Sequence, residues 1–254
     1  MHDLGSISDW MLPTSRPELG IAVLATLVFA GFARWLRGVS PSGAVAGAVV
    51  CFLLYMSTGG RAVVALISVF ALTWMATRFG HSRKQKLGTA EKDGGRRASQ
   101  VLANLGVATI AAVLYAIYGN PAFLLATAAA LSEAAADTVS SEIGQAVGSN
   151  PHLITNWKVV PVGTNGGITL VGTMAGVIAA VIVSAVFSIT GLVSWKWSGI
   201  AVGSAIVGMI ADSFLGAWLE RRRILNNDLV NLLGTLVAAT VAMVVGWNFI
   251  SGPR

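Results

Sequence analysis

GITLVGTMAGVIAAVIVSAVFSITGL, residues 167–192, contains no charged side chain. A bilayer core about 30 Å thick is crossed by roughly 20 helical residues at about 1.5 Å each. The run is therefore long enough to cross a membrane, and it offers no polar face to water. Working outward, runs of the same character cover residues 19–36, 42–57, 62–78, 98–118, 121 to about 144, 197–219 and 229–250. Counting the quoted stretch, that makes eight. The fifth is the least apolar, because its hydrophobic part ends at Leu131. The expected fold is all-α: a polytopic integral membrane bundle of about eight transmembrane helices. One domain, 19–254, follows a short polar segment, 1–18, and carries an inside loop at 80–97.

Composition agrees. Of 254 residues, 55% are hydrophobic and 11% charged, against about a quarter charged in soluble domains. An ordinary soluble enzyme and a disordered chain are both excluded. The single cysteine, Cys51, lies in an apolar run, which excludes a disulfide scaffold. The N-terminal stretch lacks the basic-then-apolar order of a signal peptide. A formal net charge of +6 suits an anionic leaflet and anionic ligands. No nucleic-acid partner is expected, since no soluble domain is present to bind one. With the N-terminus outside, thirteen of the seventeen Lys and Arg fall on inside loops, and Arg16, Arg61, Lys196 and Arg254 fall outside. That bias places both termini outside. Trp195, Trp197 and Trp247 suit interfacial belts. The spaced pairs Gly43 and Gly47, Gly172 and Gly176, and Gly199 and Gly203 suit close helix packing.

Four of the eleven acids lie at or within the runs: Glu133, Asp137, Glu142 and Asp212. An ionisable residue inside a membrane costs at least about 2.5–3.5 kcal/mol and is a functional candidate. Glu133, Asp137, Ser140 and Ser141 share one helix face. Two carboxylates there repel unless a proton or cation lies between them. Oxygen ligands of this kind suit Mg²⁺, which takes one or two carboxylates together with phosphate oxygens. Glu142 points elsewhere unless the helix breaks; an interhelical salt bridge to Arg97 or Lys158 is the structural alternative for this group. Asp212 sits between Gly208 and Gly216, a face that leaves a groove where an ion or ligand reaches the carboxylate.

The loop holding Gly163, Thr164, Asn165, Gly166 and Gly167 precedes the quoted helix, with Lys158 nearby. Its glycines let backbone N–H groups turn inward as an anion nest, and Thr164 or Asn165 would cap the helix. Phosphate favours such a helix start. Arg97, Gln100 and Asn104 share a face of the fourth helix, and arginine favours bidentate phosphate contacts. Arg96 joins Arg97 as a ligand candidate, whereas residues 83–86 read as a headgroup-facing cluster. Asn227, Asp228 and Asn231 open the eighth helix, where capping by Asn227 or Asp228 is the alternative. The polar clusters all fall on the inside ends. A transporter needs polar groups towards both faces; a one-sided cluster suits an enzyme at one leaflet, and phosphoryl transfer in particular.

EAAADTVSSEIGQ (133–145), PVGTNGG (161–167) and DSFLGA (212–217) occur in this order, after RRASQVLAN (96–104) and before NNDLVN (226–231). Together they resemble the integral membrane family of transmembrane protein 19 and the plant chloroplast phytyl-phosphate kinase, over about residues 34–231. The resemblance implies phosphorylation of a prenyl monophosphate lipid to the diphosphate, within isoprenoid metabolism, with CTP as donor. It highlights Arg97, Gln100, Asn104, Glu133, Asp137, Ser141, Glu142, the 163–167 loop, Asp212, Ser213, Gly216, Asn227, Asp228 and Asn231. On that reading Asp137, Asp212 and Glu133 hold Mg²⁺ on the donor phosphates, with Glu142 a further candidate ligand. The glycine loop and Lys158 bind the triphosphate. Arg97 holds the acceptor phosphate, and Arg96, Gln100, Asn104, Ser141, Asn227, Asp228 and Asn231 are further phosphate or nucleotide contacts. The prenyl tail lies between helices, against walls such as residues 170–183. The expected place is the cell membrane, plasma or inner, with the active site on the cytoplasmic side. The competing expectation is a transporter of a small phosphorylated or anionic substrate.

Overall fold

The computed structural model describes residues 16–91 and 94–250, with the side chains of 16, 17, 249 and 250 left aside. Most of the polar segment 1–18, and Lys92 and Arg254, lie outside the described residues. The elements run α1 (Arg16–Trp35), α2 (Pro41–Thr58), α3 (Gly60–Arg78), α4 (His81–Leu87), α5 (Ala98–Tyr118), α6 (Pro121–Val147), α7 (Leu170–Ile189), α8 (Trp195–Leu215) and α9 (Asn227–Ile250). Two short antiparallel strands, β1 (His152–Leu153) and β2 (Gly167–Ile168), close the loop before α7. All the helices except α4 are long and apolar enough to cross a membrane. The eight expected crossings are thus present, and the protein is a multi-pass helical bundle.

Local chemistry explains the boundaries. Pro41 and Pro121 open α2 and α6, where a missing N–H costs nothing. Ser40 accepts from Gly43 N at the start of α2, and Asn120 from Ala122 N at the start of α6. The last turn of α8 runs on as a π-helical turn, Gly216–Glu220.

The helix α6 is the axis of the bundle. Its spanning segment is 89% buried, against 17–39% for the others. It packs on α3, α5, α7, α8 and α9. Its alanine-rich sequence allows this, because small side chains let neighbouring backbones approach in the absence of a hydrophobic drive between helices. Gly172 and Gly176 of α7 complete the fit: a Cβ at either would press on the carbonyl of Ser140 (2.5 Å) or Ala136 (2.7 Å). The Gly199 and Gly203 pair does not pack, since a Cβ at either would meet nothing within 4 Å. The least apolar run is therefore the most buried helix. Only Pro121, Ser141 and Val147 of it are exposed, so most of its polar residues need only satisfy the protein.

Alternating spans gather the long connections at one end. There Val39 bridges to Arg96, Arg83 Nη2 donates to the Gly148 carbonyl at 2.7 Å, and Gly166 lies against Ala217. At the other end, Trp195 and Trp247 are exposed near the helix ends, as belt residues should be.

Candidate functional site

Glu133 and Asp137 sit one turn apart on α6, and Asp212 faces them from α8. The carboxyl groups of Asp137 and Asp212 lie within hydrogen-bonding reach of each other. Glu133 is 1% exposed. Its Oε1, and Oδ2 of Asp212, are buried without a hydrogen-bond partner. Two glycines make this closeness possible. A Cβ at Gly234 of α9 would come 2.6 Å from Glu133 Oε1 and 3.3 Å from Asp212 Oδ2. A Cβ at Gly208 of α8 would come 2.7 Å from Glu133 Cγ. The Gly208 side of Asp212 is thus filled by Glu133 and α9 rather than left as an open groove.

The π-helical turn adds an acid that the sequence reading missed. Glu220 lies close enough for its charge to act on Asp137 and Asp212, and it shares a side-chain hydrogen bond with Asn165. It sits next to the run Arg221, Arg222 and Arg223, so in the sequence it reads as part of a solvated charge cluster. The extra residue of the π turn re-aims it.

Asn165 brings the glycine loop to the same place. Gly166 has φ +75° and packs so closely on Ala217 that a Cβ would overlap it. Gly216 faces the loop backbone, so the glycine loop occupies the space on that side of Asp212. Within the loop the N–H groups of Thr164 and Gly167 donate to the carbonyls of Pro161 and Thr164, and the Thr164 hydroxyl to Pro161 at 2.7 Å. The cap of α7 is Thr169, which accepts from Gly172 N at 3.1 Å, rather than Thr164 or Asn165. The strand β2 separates the loop from the helix start. Lys158 is exposed on the preceding hairpin.

The two arginines before α5 part ways. Gly95, at φ +77°, lies against the backbone of Arg37, Gly38 and Val39, and Arg96 N donates to the Gly38 carbonyl at 3.1 Å. So held, Arg96 places its charge near Asp137. Arg97 is exposed. Its backbone N–H donates to Gln100 Oε1 at 2.8 Å, so Gln100 serves the helix start. Asn104 is buried and donates to the Gln100 carbonyl at 2.8 Å.

Other candidates stand elsewhere. Glu142 is paired with Lys84 at 2.5 Å and accepts from the Thr77 hydroxyl at 3.1 Å. Its partner is neither Arg97 nor Lys158. Lys84 is fully buried and also donates to the carbonyls of Ala76 and Thr77, so it is no headgroup contact. Ser141 is exposed and accepts from Gln145 at 2.9 Å. The start of α9 is capped by Asn226, whose Oδ1 accepts from Leu229 N at 2.9 Å. Asn227 is exposed, while Asp228 and Asn231 are half-buried.

A cavity of about 620 Å³ lies between α1, α2, α3 and α5. Phe29, Leu66, Val69 and Phe70 line it with apolar surface; Arg37, Arg78, Arg96 and Asn104 line it with polar groups. Arg96 thus belongs both to the cavity and to the carboxylate group. Leu170, Met174 and Ile178, on the helix expected to wall a lipid tail, are instead exposed on the outside of the bundle.

Comparison with known proteins agrees with the class the fold defines. The model of the family described as integral membrane protein DUF92 matches residues 24–239. The chain belongs to that family. It is 32% identical over 229 residues to an uncharacterized membrane protein of Methanocaldococcus jannaschii, covering 90% of this chain and 94% of the other. It is 29% identical over 219 residues to the Arabidopsis thaliana "Protein VTE6, chloroplastic", covering 83% of this chain and 66% of that protein. "Protein PGR" of the same plant is 29% identical over 235 residues, covering 82% and 80%. No solved structure matches the chain.

Proposed function

We propose that the protein is a membrane-embedded prenyl-monophosphate kinase, transferring the γ-phosphoryl group of a nucleoside triphosphate, CTP, to a prenyl monophosphate. An oxygen of the acceptor phosphate attacks the γ-phosphorus and forms a new P–O bond. The bond to the β–γ bridging oxygen breaks, its electron pair leaves with the nucleoside diphosphate, and the lipid becomes a diphosphate. A phosphate oxygen is already anionic near neutral pH, so positioning and charge compensation carry the chemistry.

The observation that carries this reading is the position of Arg96. It lines the cavity and its charge reaches Asp137, so an anionic headgroup on its guanidinium would stand on the side of the carboxylates. The family supports the reading through the phytyl-phosphate kinase resemblance and through the chloroplast relative. The confinement of the acids, Arg96 and the glycine loop to one end of the bundle favours an enzyme over a transporter.

The carboxylates fit a divalent cation. Glu133 Oε1 and Asp212 Oδ2 are buried and unpartnered. Among the described residues no three His, Cys, Asp or Glu side chains form a complete metal-holding group, and Mg²⁺ needs only one or two carboxylates when phosphates complete its shell. Asp137 and Asp212, with Glu133 behind them, would hold it, and it would neutralise charge on the donor phosphates. Arg96 holds the acceptor phosphate. Asn165, tied to Glu220, keeps the glycine loop against the donor. The bias of Lys and Arg to the loops at this end supports a cytoplasmic-facing site in the cell membrane.

The test is label transfer from γ-labelled CTP or ATP to phytyl, geranylgeranyl or farnesyl monophosphate, with purified protein and Mg²⁺ in detergent. Label in a prenyl diphosphate is the expected result. No transfer in any pair, together with movement of an anion across sealed vesicles without nucleotide consumption, overturns the kinase in favour of the transporter.

A further inference from the structure

Resting on the kinase reading, we propose that the cavity between α1, α2, α3 and α5 is the seat of the lipid acceptor. It takes one isoprenoid chain rather than a two-chain phospholipid, and the absence of a side chain at Gly47 leaves room for the length of that chain.

Size gives the first argument. At about 30 Å³ per heavy atom, the share of one water in the liquid, a cavity of 620 Å³ holds roughly 20 heavy atoms. That is close to farnesyl monophosphate and less than half of a two-chain phospholipid.

Polarity gives the second. Phe29, Leu66, Val69 and Phe70 offer nothing but apolar surface, as a hydrocarbon chain requires. Arg37, Arg78 and Arg96 also line the space, with Glu91 the acid among them. The balance is positive, which suits a phosphate. Arg96 lines this space and its charge also reaches Asp137, so a phosphate held here lies on the side of the proposed transfer site.

The third argument is a contrast between two glycines on one face of α2. A Cβ at Gly43 would overlap the Arg96 carbonyl, so Gly43 exists for packing. A Cβ at Gly47 would meet nothing within 4 Å, yet Gly47 lines the cavity. Four residues of helix, about 6 Å, separate it from Gly43, which lies at the Arg96 carbonyl. A side chain at position 47 therefore starts in open space at the cavity lining, with a Cβ that displaces no protein atom, and a larger one takes up room where the acceptor's chain runs.

The experiment compares wild type, Gly47→Leu and the outward-facing control Ile178→Trp. Acceptors are geranyl, farnesyl and geranylgeranyl monophosphate, with melting curves recorded for each protein. Gly47→Leu is expected to lose at least about tenfold in the ratio of geranylgeranyl to geranyl transfer, the scale set by crowding in an apolar pocket. Ile178→Trp is expected to keep the wild-type ratio. Transfer by Gly47→Leu with the wild-type chain profile overturns the assignment.

A second measurement needs no turnover: photolabelling with a diazirine-bearing farnesyl monophosphate, without nucleotide. Label is expected on peptides of α1, α2, α3 or α5, competed by farnesyl monophosphate but not by farnesol or dioleoyl phosphatidate. Label on α7, absence of specific label, or competition by the phosphatidate overturns the cavity assignment. Specific cavity label in a protein that transfers nothing upholds the lipid site and overturns the kinase reading instead.

Discussion

Asp137 and Asp212 reach each other from different helices, and on the proposed kinase reading neutralising either removes a charge that serves the donor phosphates. Asp137→Asn and Asp212→Asn are each expected to cut label transfer by at least about a hundredfold, the usual cost of losing one preorganised electrostatic contact. Neither should melt earlier than wild type, because each removes a charge that is costly within the bilayer. Unchanged transfer in both variants would remove these carboxylates from the chemistry. Arg96 and Arg97 give a sharper contrast. Arg96 lines the cavity, whereas Arg97 is exposed at the start of α5. Arg96→Lys is expected to lower kcat/KM by about tenfold to a hundredfold, since an ammonium cannot make the forked contact; Arg97→Lys should stay within about twofold. Equal effects of the two substitutions would show that the acceptor phosphate lies elsewhere.

At the scale of elements, the short helix α4 is latched to α3 and α6. Lys84 donates to Ala76, Thr77 and Glu142, and Arg83 to Gly148. Breaking a buried pair leaves an uncompensated charge, worth about 3–5 kcal/mol, whereas replacing both partners by apolar groups is often neutral. Lys84→Met should therefore lower the melting temperature clearly, and the double variant Lys84→Met with Glu142→Leu should recover most of the loss. Failure of the double variant to recover would mean that the pair contributes more than charge compensation. The glycines separate in the same way. Gly176→Ala is expected to destabilise by about 1–3 kcal/mol through overpacking on α6. Gly203→Ala, where a Cβ meets open space, should be neutral or stabilising by up to about 1 kcal/mol. Thermal unfolding in one detergent resolves both signs.

The whole molecule is polarised. Loops 36–40, 79–97, 148–169 and 221–226 meet at one end, and the proposed chemistry sits there. With Cys51 replaced by Ser, Gln85→Cys on α4 should react with an impermeant maleimide only from the cytoplasmic side. Lys196→Cys, in the first turn of α8, should react only from the opposite side. Both residues are exposed. The reverse pattern would turn the molecule over and place the acid group on the outer leaflet.

Number, length and order of the membrane helices were legible in the sequence, because each span carries its own apolar signal and needs no partner to be recognised. Four acids within the spans were legible too, since a charge inside a membrane is costly wherever it sits, but Glu220 was not. The family was legible from the order of five short motifs. What the residues could not settle alone was which of them meet. Glu220 joins the acids only because a π turn alters the register of α8, and Gly234 becomes part of the site only because α9 lies on Glu133. Lys84 reads as one member of a basic run until α4 folds it under α3. Arg96 parts from Arg97 because a bridge to Val39 holds its backbone. The cavity has no sequence signal, for its apolar and its polar lining residues come from separate helices and loops far apart in the chain. Periodicity and cost are properties of single segments, whereas sites arise where segments approach, and the approach depends on packing against the small side chains of α6.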